Sequence, residues 1–596
     1  MSTTFTFDLH PSGAGAGASA AAALRHGTVS IASPSDAQQG KKRVIETPGC
    51  FMFSTKGSVP HLTPDTMRLQ DFGGINVSLE QLLHPDQPAS FSKWPLTSPF
   101  NSGSKFTLAE YLHLQDLILM CDLRDYSSFS AFASPSDVAA GAGAAPSKLV
   151  GPNTDRYALL STPKGVRQLT VDDYLQIVRQ YRPDIMVAMA DSIVEKPKNP
   201  EHKGPAEKRV RKSVERSLKW LDQILLEREG QDGRMEDRRM EEEKKRRRER
   251  KEKKRAAAAM MAEQQQQQAQ QEGGAEQQQQ ASSKDTMSEV AESDDTPIAI
   301  VPRETEPWKE VAVFAHVLGS HIEAERITSA QETARREGVD GFMIDTSALT
   351  EMVDMDQILK LVQTSVEHLP SQKPRMVYGV QTPEDVLKAI ALGVDLFDTS
   401  YPYHLTEDGK ASLYCFGEDP SPESISAADK SSSRNNRWIN LWDDEHGDQF
   451  VPILEGCECY ACHSGGHTRA YINHLLKTHE MLATVLLMSH NMHQFNLFFK
   501  HVRESIKEGT FEKHSKTFHD MFGNEPKRTA EKHLAQLVVE AALTKRNQRL
   551  EGAEEAVVDA IGTGEKLVKK RPEVEGVEAD KTEKKAKKEG DATQEQ

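Results

Sequence analysis

The stretch RMVYGVQTPEDVLKAIALGVDLFD, residues 375–398, has the pattern of a strand, a helix and a second strand. Short apolar runs at Met376–Gly379 and Leu396–Phe397 enclose the helix-patterned segment Pro383–Leu392. A helix between two strands lets both strands run in the same direction within one sheet. The stretch therefore predicts one unit of a parallel α/β sheet.

The same alternation extends towards the N-terminus. Apolar runs at Val311–Phe314 and Gly341–Ile344 are followed by helix-patterned segments at Glu323–Glu337 and Asp354–Glu367. Strands and helices repeated at this spacing predict parallel strands covered by helices. The periodicity by itself leaves a closed (β/α)8 barrel and an open sheet as alternatives.

Several stretches lack the apolar periodicity of a packed element. Residues 11–23 and 134–147 are rich in Ala and Gly, residues 229–296 join a charged block to glutamine runs, and the tail from about 550 is rich in Glu and Lys. Such segments bury too little apolar surface to offset the entropy of ordering, so we expect them to be disordered. About 400 of the 596 residues remain, enough for one large α/β domain with an appendage.

The composition also predicts a compartment. No apolar run approaches the roughly 20 residues that span a bilayer, and the first residues lack the patterns of a secretory signal or a transit peptide. Three of the six cysteines lie within six residues, which favours a reducing compartment and a metal over a disulfide scaffold. We therefore expect a cytoplasmic protein. The net charge of −16 does not favour nucleic acid, although residues 209–219 and 244–255 are strongly basic. The second of these stretches is typical of a solvated helix or a disordered arm.

The cysteine cluster predicts a metal site. Cys457, Cys459 and Cys462 are spaced so that the backbone can curl around one ion, and thiolates suit Zn²⁺ in a tetrahedral Cys₃His site. A predicted helix at Tyr471–Phe499 can pack back and supply the histidine, but the spacing does not choose between His479 and His490. Four protein ligands leave no open position, so the predicted zinc is structural. The histidines near the cluster are His463, His467, His474, His479 and His490.

Three motifs in this region resemble the zinc-binding C-terminal region of the tRNA-guanine transglycosylase family. They are CECYAC at 457–462, HTRAY at 467–471 and LLMSHN at 486–491. The resemblance implies that His490 is the fourth zinc ligand. It also implies that the strands close into a (β/α)8 TIM-like barrel with an appended C-terminal zinc-binding subdomain. Further segments that resemble the family are residues 46–65, 209–220 and 375–398.

Resemblance and composition together imply the organisation of the chain. The barrel is expected from residues 1–228 and 297–450, separated by a disordered charged and Gln-rich insertion at 229–296. The zinc-binding subdomain and its helices are expected at 451–549, followed by a disordered tail at 550–596. Smaller insertions are expected at 11–23, 134–147 and 420–436.

The family resemblance also implies a chemistry, from which this sequence departs. Members exchange a guanine in tRNA for another base, using one carboxylate as nucleophile and a second to move protons. Asp398 matches the nucleophile's position, but the motif Asp-Ser-Gly-Gly-Phe-Gln of the second carboxylate is absent, with only a loose echo at 70–74. Leu318–Ser320 and Asp345–Ser347 replace segments that recognise the base. Residues 402–407 lack both arginines that hold the RNA.

These departures imply a non-catalytic subunit. By resemblance, it pairs with a catalytic homologue as a heterodimer and supports the exchange of guanine for queuine at wobble position 34 of tRNAs with GUN anticodons. We therefore assign no catalytic residue, expect Asp398 to be inactive, and expect one structural Zn²⁺ held by Cys457, Cys459, Cys462 and His490. The implied partners are the catalytic subunit and tRNA, while a homodimer is left open. Peripheral association with the mitochondrial outer membrane is implied by resemblance only.

Two other functions remain as alternatives. The chain is then either an active transglycosylase that uses Asp398 as nucleophile, or a zinc-stabilised RNA-binding protein without a transglycosylase partner. Base exchange by the isolated chain identifies the first alternative, and failure to associate with a catalytic homologue identifies the second.

Overall fold

The structure is a computed structural model, and it describes a defined set of residues. The predicted insertions 11–23, 134–147 and 420–436, the tail 550–596 and all but the first two residues of 229–296 lie outside that set. The predicted domain limits remain predictions. The described residues are 4–10, 24–32, 42–82, 107–124, 153–162, 165–193, 205–230, 308, 310–346, 355–380, 382–414, 416–417, 437–464 and 466–522.

The chain alternates strands with helices over most of its described length, and the strands and helices are numbered separately in chain order. The strands are β1 Thr4–His10, β2 His26–Ala32, β3 Arg43–Thr47, β4 Gly49–Phe53, β5 Gly74–Ser78, β6 Ile118–Asp122, β7 Tyr157–Thr162, β8 Gly165–Thr170, β9 Ile185–Val187, β10 Ala312–Val317, β11 Gly341–Ile344, β12 Arg375–Val377, β13 Leu396–Asp398, β14 Lys410–Ser412 and β15 Trp438–Asn440. The helices are α1 Pro64–Arg68, α2 Leu79–Leu82, α3 Leu108–Tyr111, α4 Val171–Tyr181, α5 Glu207–Arg228, α6 Glu323–Ala334, α7 Met355–Val366, α8 Pro383–Ala391, α9 Ser400–Glu407, α10 Arg469–Lys477, α11 Met481–Glu508 and α12 Phe511–Phe522.

Eight parallel strands of the described residues form one closed barrel, in the order β10-β11-β12-β13-β4-β5-β6-β9. Closure is made by β13 and β4, where Leu396 pairs with Gly49 and Asp398 with Phe51. The interior is filled by side chains such as Phe314, so it is a packed core and not a pore. The barrel confirms the predicted TIM-like fold and decides against the open sheet.

The quoted stretch 375–398 forms the predicted strand, helix and strand. Helix α8 begins after Thr382, whose hydroxyl accepts a hydrogen bond from the backbone N–H of Asp385 (3.2 Å), and Pro383 occupies its first turn. Strand β12 ends at Val377, earlier than the predicted Gly379. The reason is that Gly379 has a φ of +70° and donates its N–H to the side-chain carboxylate of Asp398 on β13 instead of to a backbone carbonyl of that strand.

The predicted single helix at Tyr471–Phe499 is wrong, because two helices occupy this region. Helix α10 ends at Lys477 and α11 begins at Met481. Between them, His479 has a φ of +56°, a left-handed conformation that a continuous helix cannot contain. His479 is exposed there and lies beside Trp442, with the two ring centroids 6.0 Å apart.

An antiparallel sheet of β1, β2 and β3 covers the N-terminal end of the barrel. Phe5 packs edge-on against Phe314 of the barrel interior, with centroids 5.9 Å apart. Arg25 Nε lies 3.1 Å from the Asp395 carboxylate, which immediately precedes β13. Both side chains are almost inaccessible, at 7% and 0% exposure. A buried ion pair thus fastens the sheet to the barrel.

The C-terminal helices pack on the barrel through aromatic side chains. Phe499 of α11 contacts Phe397 of β13, and Phe498 contacts Tyr414 and Phe518 of α12. Arg503 of α11 donates to the Pro48 carbonyl (3.0 Å) at the start of β4. The helix that reaches the cysteine cluster is therefore also part of the barrel's outer layer. Within the described parts of the chain, no helix is both long and apolar enough to cross a membrane.

The chain leaves and re-enters the barrel at one point between β9 and β10. Helix α5 ends at Arg228, and the described chain resumes at Trp308. The backbone N–H of Trp308 donates to the Arg228 carbonyl (3.1 Å). The two ends of the intervening segment are therefore held together by a backbone hydrogen bond.

Candidate metal centre and barrel mouth

Three thiols and one imidazole meet in the C-terminal region. Cys457, Cys459 and Cys462 lie in and just before a π-helical turn at Tyr460–Ser464, and His490 lies one third of the way along α11. His490 Nδ1 is 3.7, 3.5 and 3.5 Å from the sulfurs of Cys457, Cys459 and Cys462. A tetrahedral Zn²⁺ with the usual bond lengths separates sulfur and nitrogen ligands by about 3.5–3.6 Å. The four side chains therefore fit a Cys₃His metal centre without rearrangement.

Neighbouring groups hold these donors in place. His490 Nε2 donates to the Ser412 carbonyl (2.8 Å), which leaves Nδ1 as the lone-pair nitrogen facing the thiols. Gln494, one turn further along α11, donates its amide N–H to the Cys457 sulfur (3.2 Å). The backbone N–H of Cys462 donates to the Cys459 sulfur (3.3 Å). Each contact orients a donor towards the centre of the cluster.

The electrostatics of the cluster favour a cation. Hydrogen bonds from Cys459 and Cys462 lower the pKa of Cys457 below its ordinary value. Burial lowers the pKa of His490, but its hydrogen bonds to Cys457 and Cys462 outweigh this effect and raise that pKa to about 10. The site thus attracts positive charge, which a divalent ion bound to deprotonated thiols would supply.

The other four histidines considered in the sequence do not join the cluster. His463, His474 and His479 are exposed, and His467 stacks on Tyr471 with ring centroids 5.5 Å apart. Only His490 lies with the three cysteines among the described residues that could hold a metal. The geometry is compatible with the ligand set that the family resemblance implies, and that ligand set remains a prediction.

Asp398, the residue matched to the family's nucleophile, ends strand β13 at the C-terminal mouth of the barrel. Its carboxylate accepts hydrogen bonds from the backbone N–H of Gly379 (2.9 Å) and of Ser400 (2.7 Å), and from the Ser400 hydroxyl. Burial raises the pKa of Asp398, and these hydrogen bonds oppose the rise. Three donors from the chain therefore hold this carboxylate in place and engage most of its lone pairs.

Two further carboxyl groups at the mouth were missed by the sequence reasoning. Asp191 follows β9, is fully buried, and is bound by Arg209 (2.8 and 2.9 Å), Arg216 and Asn153 (2.6 Å). Asp122 ends β6 and is also fully buried. An acidic residue closing an apolar strand, as in Ile118–Asp122, was the available signal, because Asp398 closes β13 in the same way.

Burial affects the protonation of Asp122. Burial raises its pKa to about 8, while hydrogen bonds from the backbone of Arg124 and Leu123 and from the Tyr378 hydroxyl oppose the rise. A carboxyl group with a pKa in this range is a potential general acid. The loose resemblance at 70–74 to the motif of the second carboxylate does not bring a carboxylate to the mouth. Exposed Asp71 precedes β5 and so lies at the opposite end of the barrel.

The segments that depart from the family pattern are packed into the fold. Leu318 is buried against Ala190 and Val214, and Gly319 is crowded by Arg326. Arg326 is fully buried and donates to the Ser320 carbonyl (2.6 Å) and the Asp345 carbonyl (2.8 Å). One arginine therefore links the segment 318–320 to the segment that begins at Asp345.

The region around Cys457, Cys459, Cys462 and His490 exposes apolar side chains. Met481 and Phe450 are 84% and 79% exposed, and Tyr471 and Tyr460 flank the ring of His467. Exposed apolar groups concentrated in one region are typical of an interaction surface. In the described chain, the exposed large apolar side chains of this region are Trp442, Phe450, Tyr460, Tyr471, Met481 and Leu482.

Comparison with known proteins agrees with this fold. The model of the queuine tRNA-ribosyltransferase family matches residues 24–290 and 274–524. The chain belongs to the queuine tRNA-ribosyltransferase family.

Curated relatives narrow the similarity to one kind of subunit. The chain is similar to "Queuine tRNA-ribosyltransferase accessory subunit 2" of Danio rerio, at 28% identity over 484 residues, covering 78% of this chain and 89% of the relative. The protein of the same name from Homo sapiens is 26% identical over 483 residues, covering 78% and 90%. That of Trichoplax adhaerens is 26% identical over 482 residues, covering 81% and 95%.

Proposed function

We propose that this chain is the non-catalytic subunit of a heterodimeric queuine tRNA-ribosyltransferase. In this role it supports a catalytic homologue that exchanges guanine for queuine at wobble position 34 of tRNAs with GUN anticodons. The observation that carries the proposal is the state of Asp398 and Asp191 at the barrel mouth. Asp191 is buried and bound by two arginines and an asparagine, and Asp398 accepts three hydrogen bonds from the chain itself. Competition from these donors weakens both carboxylates as nucleophiles.

The metal-bearing region is proposed as the contact with the partner. In this family, by the resemblance, the zinc subdomain and neighbouring barrel helices form the dimer contact. Support comes from the exposed Phe450, Tyr471 and Met481, which gain apolar burial on association. Two homologous subunits that pair through related surfaces give a pseudo-symmetric dimer. A homodimer through the same surface is the competing assembly.

We propose Zn²⁺ as the ion at Cys457, Cys459, Cys462 and His490, because three thiolates and an imidazole in tetrahedral geometry suit it best. With four protein ligands the ion holds the loop 457–464 against α11 and takes no part in the reaction. Metal analysis of the purified chain tests this assignment, with one equivalent of zinc expected.

The decisive experiment is labelled-base exchange into tRNA. The chain alone should be inactive, the catalytic homologue alone weak or inactive, and the mixture active. Copurification of the two subunits tests the heterodimer directly. Association with tRNA but not with the homologue would support a zinc-stabilised RNA-binding protein instead.

One observation favours a second candidate, an active transglycosylase. Asp122 provides a buried carboxyl with a pKa of about 8 at the same end of the barrel as Asp398, which is the pairing that acid–base and nucleophilic roles require. Exchange by the isolated chain, abolished by D398N, would establish this candidate. For location, we propose the cytoplasm with peripheral association at the mitochondrial outer membrane, and cell fractionation tests it.

A further inference from the structure

Tyr378 spans the C-terminal mouth of the barrel. It follows β12, and its hydroxyl accepts a hydrogen bond from the side-chain amide of Asn76 on β5 (2.8 Å). The same hydroxyl lies against the carboxyl of Asp122 on β6. Strands β12 and β6 are four steps apart in either direction around the eight-stranded barrel, so they are opposite each other. The Tyr378 side chain therefore meets side chains of the opposite wall within the mouth.

The ring is built into the protein at both ends. At its base, the Tyr378 carbonyl accepts a hydrogen bond from the Thr346 hydroxyl (3.1 Å). Along its length it packs with the interior core that includes Met120 and Met376, and only 8% of the residue is exposed. Its hydroxyl has partners on the far wall. A side chain packed along its length and hydrogen-bonded at its tip does not swing aside at low cost.

Two small cavities lie between the barrel wall and its outer helices. One is lined by Thr346, Tyr378 and residues of α7, the other by His316 and residues of α5, and each has a volume of about 10 Å³. Such a volume admits about one water molecule and no ring system. The C-terminal mouth is the place where barrels of this kind hold small ligands, usually against a few polar groups on the strand ends.

We propose that Tyr378 is a permanent internal occupant of the barrel mouth, so that this chain binds no free base. Its ring fills the place of a small planar ligand, and its hydroxyl engages the polar groups Asn76 and Asp122 that such a ligand would use. The inference deepens the proposed function and rests on it only in taking the chain to be non-catalytic. It explains the absence of catalysis by a side chain that blocks the binding of a base, whatever the state of Asp398.

The test uses the isolated full-length chain and phenol, which replaces the atoms that Y378A removes. The matched control is Y378F, which keeps the ring and loses only the hydroxyl. By calorimetric titration, we expect Y378A to bind phenol at least about tenfold more tightly than the natural chain or Y378F. We also expect no binding of guanine to the natural chain.

Several results would overturn the proposal. These are guanine binding to the natural chain, equally tight phenol binding by all three proteins, or no phenol binding by a Y378A protein with normal circular dichroism. If Y378A does not fold unaided, phenol during purification should restore its soluble yield, and failure of that rescue also counts against the proposal. None of these assays involves tRNA or the partner, so their failure is distinct from failure of base exchange by the mixed subunits.

Discussion

Replacement of His490 by alanine tests whether the Cys₃His centre organises the C-terminal region. The side chain is fully buried and its Nε2 donates to the Ser412 carbonyl. Leaving that buried carbonyl unpaired costs about 1–3 kcal/mol, and the cavity left by the ring costs about 2–4 kcal/mol more. The sum, about 3–7 kcal/mol, is a large part of the 5–15 kcal/mol that stabilises a typical domain. H490A should therefore open the region around α10 and the start of α11.

The metal should respond even more strongly than stability. Loss of an outer contact to a metal ligand already weakens binding by about 10–100-fold, so loss of the ligand itself should exceed about 100-fold. Zinc retention during titration with a chromophoric chelator measures this directly. Two variants serve as controls: H474A removes an exposed histidine of α10, and H479N removes the rival ligand while keeping a residue that tolerates φ of +56°. Full retention of zinc by H490A, or equal loss from H479N, would refute the assignment.

Three further predictions follow from the barrel. R25M should destabilise the chain by about 3–5 kcal/mol because it removes the ion-pair partner of the buried Asp395 carboxylate. R68M, which breaks the half-exposed pair with Asp116, should cost at most about 1 kcal/mol. Equal melting temperatures of the two variants would contradict this. D398N should leave exchange by the mixed subunits within about threefold of the natural rate, and a collapse of the rate with dimerisation intact would mean that this mouth performs chemistry. The folded pKa of Asp122, about 8, lies above that of an unfolded carboxyl, so its contribution to stability is complete below about pH 4 and is lost as pH rises towards 8. D122N should remove this part of the pH dependence of the unfolding free energy, measured by denaturant titration. An unchanged pH dependence in D122N would argue against a proton on the buried carboxyl.

Local patterns predicted the elements well, because strands and helices at 311–398 depend on neighbouring residues. Barrel closure was not predictable from periodicity, since it depends on the pairing of Leu396 with Gly49, far apart in the chain. Only the family resemblance supplied it. The three cysteines were predictable for the opposite reason, as they lie within six residues. The choice of His490 over His479 needed the backbone, because a left-handed turn removes His479 from the helix face.

The barrel mouth was the least predictable part. A missing motif suggested that no second carboxyl was present, whereas Asp122 provides one from a strand end that carries no motif. Its role depends on its partner across the barrel, Tyr378, which lies 256 positions further along the chain (378 − 122). Hydrogen bonds of this kind follow from the closed fold and leave no trace in local sequence.

The hydrogen bond between Trp308 and Arg228 has a consequence for how this chain can change in length. This hydrogen bond holds the described residues on either side of 231–307 close together, so a segment that joins them has only a short gap to close. Doubling or halving the length of a flexible loop changes its closure free energy by only about 0.6 kcal/mol. Insertions, deletions and even the exchange of a whole domain at this position should therefore leave the rest of the fold unchanged.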